Sequence, residues 1–386
     1  MSTSTTSSTG EPVTLLRTPF HDFHVNHGGK MVPFAGWEMP IRYGSIIEEH
    51  HQVRRSGGLF DVSHMGRLRF TGRDARKFLD LICTRQIIDM QDGMCRYSLV
   101  CNEKGGCRDD VLVYRLSDSE YIMVCNASNR LKLLAHFDEI RGGGDMKFKL
   151  VDETESTAMV ALQGPKVMGL IAGFSSEIPA LKRYRFTVKK IPFIAEFIIS
   201  RTGYTGEDGV EAILPAKFAD RAVDMLLKNV TDPTLIKPAG LGARDSLRLE
   251  AGMPLYGHEI EEHLDPIAAG LNFAVKLDKS EDAVPGGFIG QAALQRIARE
   301  GPERKLVGFV LEGKRAARQN MRIMSQDGGR EVGFVTSGCW SPTLEKSIAM
   351  GYVESPLSAP GNAVLIDPEK LNVPAAMCPL PFYKSA

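Results

Sequence analysis

Polar and apolar positions first fall into helical order after Ser45, where Ser45 and Glu48 have the spacing of a capping box and Gly57-Gly58 supplies a stop. A helix is expected over about residues 46–56. Leu59 to Met65 and Gly66 to Phe70 then alternate as strands do. Between Tyr97 and Asn126 three runs, 97–101, 111–116 and 121–125, are parted by turn residues, which predicts an antiparallel meander. The theme returns at 197–200 and 210–214, on either side of the glycine-rich segment Gly203 to Gly209. Helical periodicity marks about 129–139, 165–172, 217–228, 240–251 and 290–299. Beyond the last of these, short strands at 306–311, 331–336, 349–353 and 363–366 predict a separate β barrel or sandwich, with a domain boundary near residue 300.

Length and composition add limits. The chain has 386 residues, 43% apolar and 24% charged, which suits a soluble globular protein of two or three domains. Residues 1–16 begin with a run of Ser and Thr and contain no arginine or apolar core, so a disordered tail is expected and a transit peptide is the second reading. Lys plus Arg balances Asp plus Glu at 47 each, which excludes a global field for nucleic acid or an anionic membrane. The longest apolar stretches are interrupted, as Glu196 interrupts Phe193 to Ile199, so no membrane span is expected. Seven cysteines without a CxxC pair point to reduced thiols in a cytoplasmic setting. Cys95, Cys101 and Cys107 recur every six residues, and buried hydrophobes suit them better than metal ligands.

Several segments could carry chemistry. Gly105-Gly106-Cys107-Arg108-Asp109-Asp110-Val111 places two acids at the start of a strand. By parity Asp110 shares a face with Leu112, Tyr114 and Leu116, and Asp109 with Val111, Val113 and Arg115, so Asp110 is expected to meet the more apolar surface. Pairing of both acids with Arg108 or Lys104 is the competing reading. Arg201 to Glu211 lacks the order of a dinucleotide or Walker loop. Glu211, beside Ile213 on its strand, needs donors, and parity favours an internal ion pair over a ligand contact. Arg244 sits on the apolar stripe of its helix, either in a salt bridge or as a fixed donor for a ligand. His50, His51 and His64 are weak signals, and neither a G-x-S-x-G elbow nor a metal cluster is present.

Taken in order, Met31 to Pro40, Leu59 to Met65, Asn102 to Asp110, Arg201 to Glu211, Gly242 to Gly252 and Ser337 to Val353 resemble the aminomethyltransferases, the T-proteins of the glycine cleavage system. The resemblance runs from about Arg17 to Tyr383. It implies an α+β fold of three domains around a central folate-binding opening: two intertwined mixed α/β units within residues 17–300 and a C-terminal β barrel over 301–386. It also implies tetrahydrofolate as cosubstrate, no metal or flavin, and a lipoylated H-protein as partner, in the cytoplasm or, for a eukaryotic source, the mitochondrial matrix. Asp110 falls on the family's catalytic aspartate. Met65, Tyr97 and Tyr204 would wall the pterin and aminobenzoyl groups, Glu211 would accept from the pterin donor pair, and Arg244 would anchor the folate further. The chain departs from many relatives at Phe273, where they have Trp, and at Lys384-Ser385, where they have a basic pair. Two other readings are a non-catalytic folate-binding protein of the same fold and the folate part of a dimethylglycine or sarcosine dehydrogenase; the second requires a flavin domain, and no dinucleotide fingerprint occurs.

Overall fold

A computed structural model describes residues 14–142, 146–191, 195–230, 232–279, 287–367 and 372–385. Residues 1–13 of the expected tail and most of the stretch from Ser280 to Gly287 lie outside the described residues. The chain falls into two compact units. The first takes the residues up to Leu68 with Asp152–Gly203 and Glu207–Arg244; the second takes Arg69–Val151, Tyr204–Gly206 and the residues from Asp245 onward. No helix among the described residues is long and apolar enough to cross a membrane.

The first unit is built on a six-stranded sheet in the order Phe186–Ile191, Ala195–Ser200, Gly209–Pro215, Thr157–Gln163, Gly58–Asp61, Lys237–Pro238. Alternation sorts its two faces. Leu59, Val160, Leu162, Val210 and Leu214 point into a core closed by Phe20, Phe23, Val167, Ile171 and Val223, each such side chain contributing about 1.5–3 kcal/mol by leaving water. The opposite face carries the cross-strand row Ser200, Glu211, Ala161 and Phe60. A smaller sheet of Leu16–Arg17, Trp37–Arg42 and Lys30–Phe34 joins this unit.

Helix Ile46–Arg55 forms where its periodicity placed it, but the expected capping box does not. Ser45 makes no side-chain cap bond. Glu49 takes over, accepting from the backbone N–H groups of Tyr43 at 2.7 Å, Gly44 at 2.9 Å and Gly240 at 2.8 Å, so one buried carboxylate satisfies donors from two segments. The following glycines act by close approach: a Cβ on Gly58 would lie 2.6 Å from Val53. The strand expected to reach Met65 stops at Asp61, because Asp61 Oδ1 accepts from Ser63 N–H and turns the chain through residues 62–65.

In the second unit the meander is present as Met94–Cys101, Cys107–Ser117 and Glu120–Cys125, adjacent and antiparallel in a five-stranded sheet with Gly66–Thr71 and Lys149–Asp152. Helices Ala75–Ile82 and Arg130–Gly142 accompany it, and Phe70, Phe78, Phe137 and Phe148 form an aromatic cluster. The C-terminal strands close a barrel in the order Arg304–Leu311, Lys346–Glu354, Glu331–Ser341, Arg322–Ser325, Ala363–Ile366, Val373–Cys378. Two of these strands escaped the pattern reading. Arg322–Ser325 is four residues long and Val373–Cys378 contains proline and two alanines, so neither has the β-branched density that marks a strand. Leu99, Cys101 and Cys107 of the meander share a core with Leu271, Phe288 and Tyr352.

Candidate functional site

Glu211 is only 7% exposed, yet among the described residues no cation pairs with it. Its Oε2 accepts from Thr202 Oγ1 at 2.6 Å, and Thr202 in turn lies 2.7 Å from Ser200 Oγ. The internal ion pair that parity favoured is therefore not formed. A single hydroxyl does not neutralise a buried carboxylate, which can accept about four hydrogen bonds. The loop before Glu211 is fixed by charge: Arg201 meets Asp208 through two nitrogens, at 3.0 and 2.5 Å, and Arg54 meets Glu207 at 2.8 Å. Gly203 has no room for a side chain, since a Cβ would lie 1.8 Å from Gln163 Oε1.

Met65 ends the turn after Asp61, and the first unit brings it to Arg244, whose Nη2 lies 4.0 Å from its sulfur. Next to Met65, His64 is 4% exposed, its Nδ1 buried without a hydrogen bond. Burial pushes this imidazole down to about 4, and the charges of Arg244 and Arg67 push the same way against Asp61. Tyr43 hydroxyl, His24 and Asp61 form a chain whose last two members are buried, with Tyr43 Oη 2.7 Å from His24 Nδ1 and His24 Nε2 2.9 Å from Asp61 Oδ2.

The second unit holds Asp109, Asp110, Tyr97 and Tyr204. The two aspartates sit in the strand Cys107–Ser117, and their environments reverse the parity expectation: Asp109 is fully buried and Asp110 is half-buried. The reason lies in the next segment. Asp109 Oδ2 accepts from Asn126 N–H at 3.0 Å, and Asp109 Oδ1 accepts from Asn126 Nδ2 at 2.7 Å and Asn129 Nδ2 at 2.6 Å. It thereby ties down Asn126 and Asn129, at either end of the turn that opens helix Arg130–Gly142. Asn126 Nδ2 also reaches Asp110 Oδ1, at 2.6 Å. Arg108 turns to Glu262, at 3.6 Å, and among the described residues no ion pair joins Arg108 or Lys104 to either aspartate. Burial and then the Asp110 charge push Asp109 up to about 8, against the asparagine donors; burial also raises Asp110, against Asn126. Tyr97 stacks on Phe273 with ring centroids 5.9 Å apart, and Tyr204 donates its hydroxyl to the Pro254 carbonyl.

Residues 20–279 match the GCVT N-terminal domain, and residues 304–384 match the glycine cleavage T-protein C-terminal barrel domain. The chain belongs to the glycine cleavage T-protein family. It is 45% identical over 373 residues to an aminomethyltransferase of Rubrobacter xylanophilus, covering 96% of this chain and 95% of that protein. An aminomethyltransferase of Symbiobacterium thermophilum is 41% identical, with 96% and 98% covered. In structure the chain is similar to the glycine cleavage system aminomethyltransferase T of Bartonella henselae, at a TM-score of 0.86 and 31% identity, with 96% and 99% covered.

In this T-protein three supporting residues, Asn126, Asn129 and Thr202, carry no marked signal in the sequence, and a fourth, His64, carries only a weak one. Asn126 and Asn129 hold the aspartate pair, yet their sequence signal is only that of small polar residues between a strand and a helix. Thr202 supports Glu211 from nine residues away, across a hairpin whose pairing decides the contact. The signal of His64 is weak because its neighbour Ser63 says nothing about its surroundings; its burial is a property of the fold. Among the described residues no group of three or more His, Cys, Asp or Glu side chains is placed to hold a metal ion.

Proposed function

We infer that this T-protein is the aminomethyltransferase of the glycine cleavage system. It takes the aminomethyl group carried on the lipoyl arm of H-protein, releases ammonia and forms 5,10-methylenetetrahydrofolate. The balance requires no redox partner. The carbon exchanges its bonds to sulfur and to the amine for bonds to two folate nitrogens, and the two N–H protons so released leave with the thiol and with ammonia.

The observation that carries this reading is Glu211: a buried carboxylate with a hydroxyl donor and no cation among the described residues. The amine and ring N–H of a 2-amino-4-oxo pterin form a donor pair that matches its two oxygens. Met65, Tyr97 and Tyr204 supply thioether and ring surfaces for the rest of the folate, and Arg244 supplies a fixed cation for a carbonyl or carboxylate. Asp110 has a different task. Positive charge develops on the transferred carbon as its bond to sulfur or nitrogen weakens, and a carboxylate in a site of low polarity stabilises that charge strongly. Asp109, already engaged by three N–H groups, holds the frame in which Asp110 acts.

Folate-dependent ammonia release from aminomethylated H-protein tests the reading. Turnover at a rate that saturates in tetrahydrofolate is expected. Tight folate binding with no ammonia release would instead support the non-catalytic folate-binding reading.

A further inference from the structure

The two ends of Tyr97 have different surroundings. Its ring lies against Phe273, itself 63% exposed, whereas its hydroxyl is wholly buried and makes no hydrogen bond of acceptable geometry. Buried tyrosine hydroxyls are ordinarily paired, since an unpaired one forfeits its bonds to water. The strand register shows which acceptor is in reach. Tyr97 lies opposite Leu112 and Leu99 opposite Asp110, so Tyr97 and Asp110 are diagonal neighbours on one face of the meander, a separation that an aromatic side chain spans.

Other groups near the hydroxyl do not compete well for its proton. Tyr204, whose hydroxyl donates to Pro254 O, offers only a neutral oxygen where Asp110 offers a carboxylate, and Cys107 is a weak acceptor held neutral by burial. We propose that Tyr97 is a positioning residue for the transfer reaction: its hydroxyl donates to the Asp110 carboxylate and favours the charged form the reaction needs. This rests on the proposed role of Asp110.

The electrostatic setting favours such a donor. On its own strand Asp110 has Asp109 beside it, and from the end of strand Glu120–Cys125 it receives the Asn126 amide. From strand Met94–Cys101 comes Tyr97, with Cys107 and Tyr204 beyond it. Among the described residues no cation pairs with either aspartate. Burial favours the neutral acid, and the Asn126 amide, Tyr97 and a bond from the backbone at Asp110 oppose it.

The test uses full-length Tyr97→Phe, which keeps the ring and its stacking. Single-turnover ammonia release at saturating folate should show an acid limb shifted upward by about one pH unit, with the rate recovered on the alkaline side. Folate affinity should stay within about twofold of wild type. A uniform loss at every pH would overturn the proposal. Independently of turnover, the Asp110 carboxyl carbon followed by NMR should titrate at higher pH in Tyr97→Phe; an unmoved midpoint would overturn the proposal even if the enzyme works as inferred. Added to Asp110→Asn, the tyrosine substitution should cost nothing further, and a full additional loss would mean that Tyr97 acts elsewhere. Absence of folate-dependent ammonia release from wild type would instead sink the functional reading, leaving the NMR titration to decide the contact.

Discussion

At the scale of single residues, charge has been left incompletely compensated at two places, and each predicts a separable loss. Glu211→Ala removes the acceptor for the pterin donor pair, so folate affinity is expected to fall by at least tenfold, about 1.4 kcal/mol, while stability changes little because only the Thr202 hydroxyl loses a partner. Isothermal calorimetry on the folded variant checks this; unchanged affinity would return Glu211 to a purely structural role. Asp110→Asn is expected to bind folate normally and lose most turnover in single-turnover ammonia release. Asp109→Asn should retain far more turnover but lose stability, since an amide NH2 would face the donors of Asn126 and Asn129. The pair also predicts a pH effect. Asp109, raised from 3.8 to about 8 in the folded state, makes the protein more stable at low pH, and that stability is lost as pH rises through this window. Asp110→Asn removes the neighbouring charge, lowers the folded value and flattens the loss, so the variant should resist urea better than wild type at pH 8 but not at pH 5. No difference between the two pH values would mean that the aspartates are uncoupled. The sequence made these acids visible, and the family resemblance ranked them; it could not show their environments. Parity fixes which residues share a face but not which face is covered, and the covering group, Asn126 with Asn129, comes from the end of another strand.

At the scale of elements, the hairpin that delivers the aspartates depends on its double glycine. Gly105 adopts φ +88°, a left-handed conformation that favours glycine. Gly106 is required by closeness instead: a Cβ there would lie 1.9 Å from the backbone oxygen of Glu262. The same approach lets Cys107 N–H reach Glu261 O and Leu264 O, both at 3.0 Å, and Asn102 Nδ2 reach Glu262 O at 2.8 Å. Gly106→Ala should therefore destabilise the protein by about 2–4 kcal/mol, because backbone rather than a flexible side chain must move. Gly142→Ala, at an open position where a Cβ meets nothing within 4 Å, is the control and should be near neutral. Equal urea midpoints for the two variants would show that the hairpin yields at no cost. Elements such as these were legible where period and turn chemistry agree, as in the meander and in helices Arg130–Gly142 and Gln291–Glu300. They were missed where pairing alone makes the strand. Thr157–Gln163 is Thr-Ala-Met-Val-Ala-Leu-Gln, an apolar run without alternation, because it lies between Gly209–Pro215 and Gly58–Asp61 and is buried on both faces.

At the scale of the whole molecule, the seven cysteines report on how completely the fold excludes solvent. None is in a disulfide; Cys83, Cys95, Cys101, Cys107 and Cys125 are buried, and Cys339 and Cys378 are partly accessible. Burial pushes the thiols of Cys83 and Cys339 up to about 12 and that of Cys378 up to about 11, so at neutral pH none of these three carries an appreciable thiolate fraction. Alkylation needs both access and thiolate, and the accessible thiols lack the second. Iodoacetamide at pH 7 is therefore expected to modify at most two cysteines in the folded protein and to leave ammonia release intact, since the proposed transfer uses no thiolate of this chain. All seven should react in urea. Because Cys101 and Cys107 belong to the core that the meander shares with Phe288 and Tyr352, their labelling should follow global unfolding, with a rate that rises only as the urea transition is reached. Loss of activity in step with labelling of Cys101 or Cys107 in native buffer would show that the meander opens locally, and the rigid placement of Asp110 on its central strand would have to be abandoned.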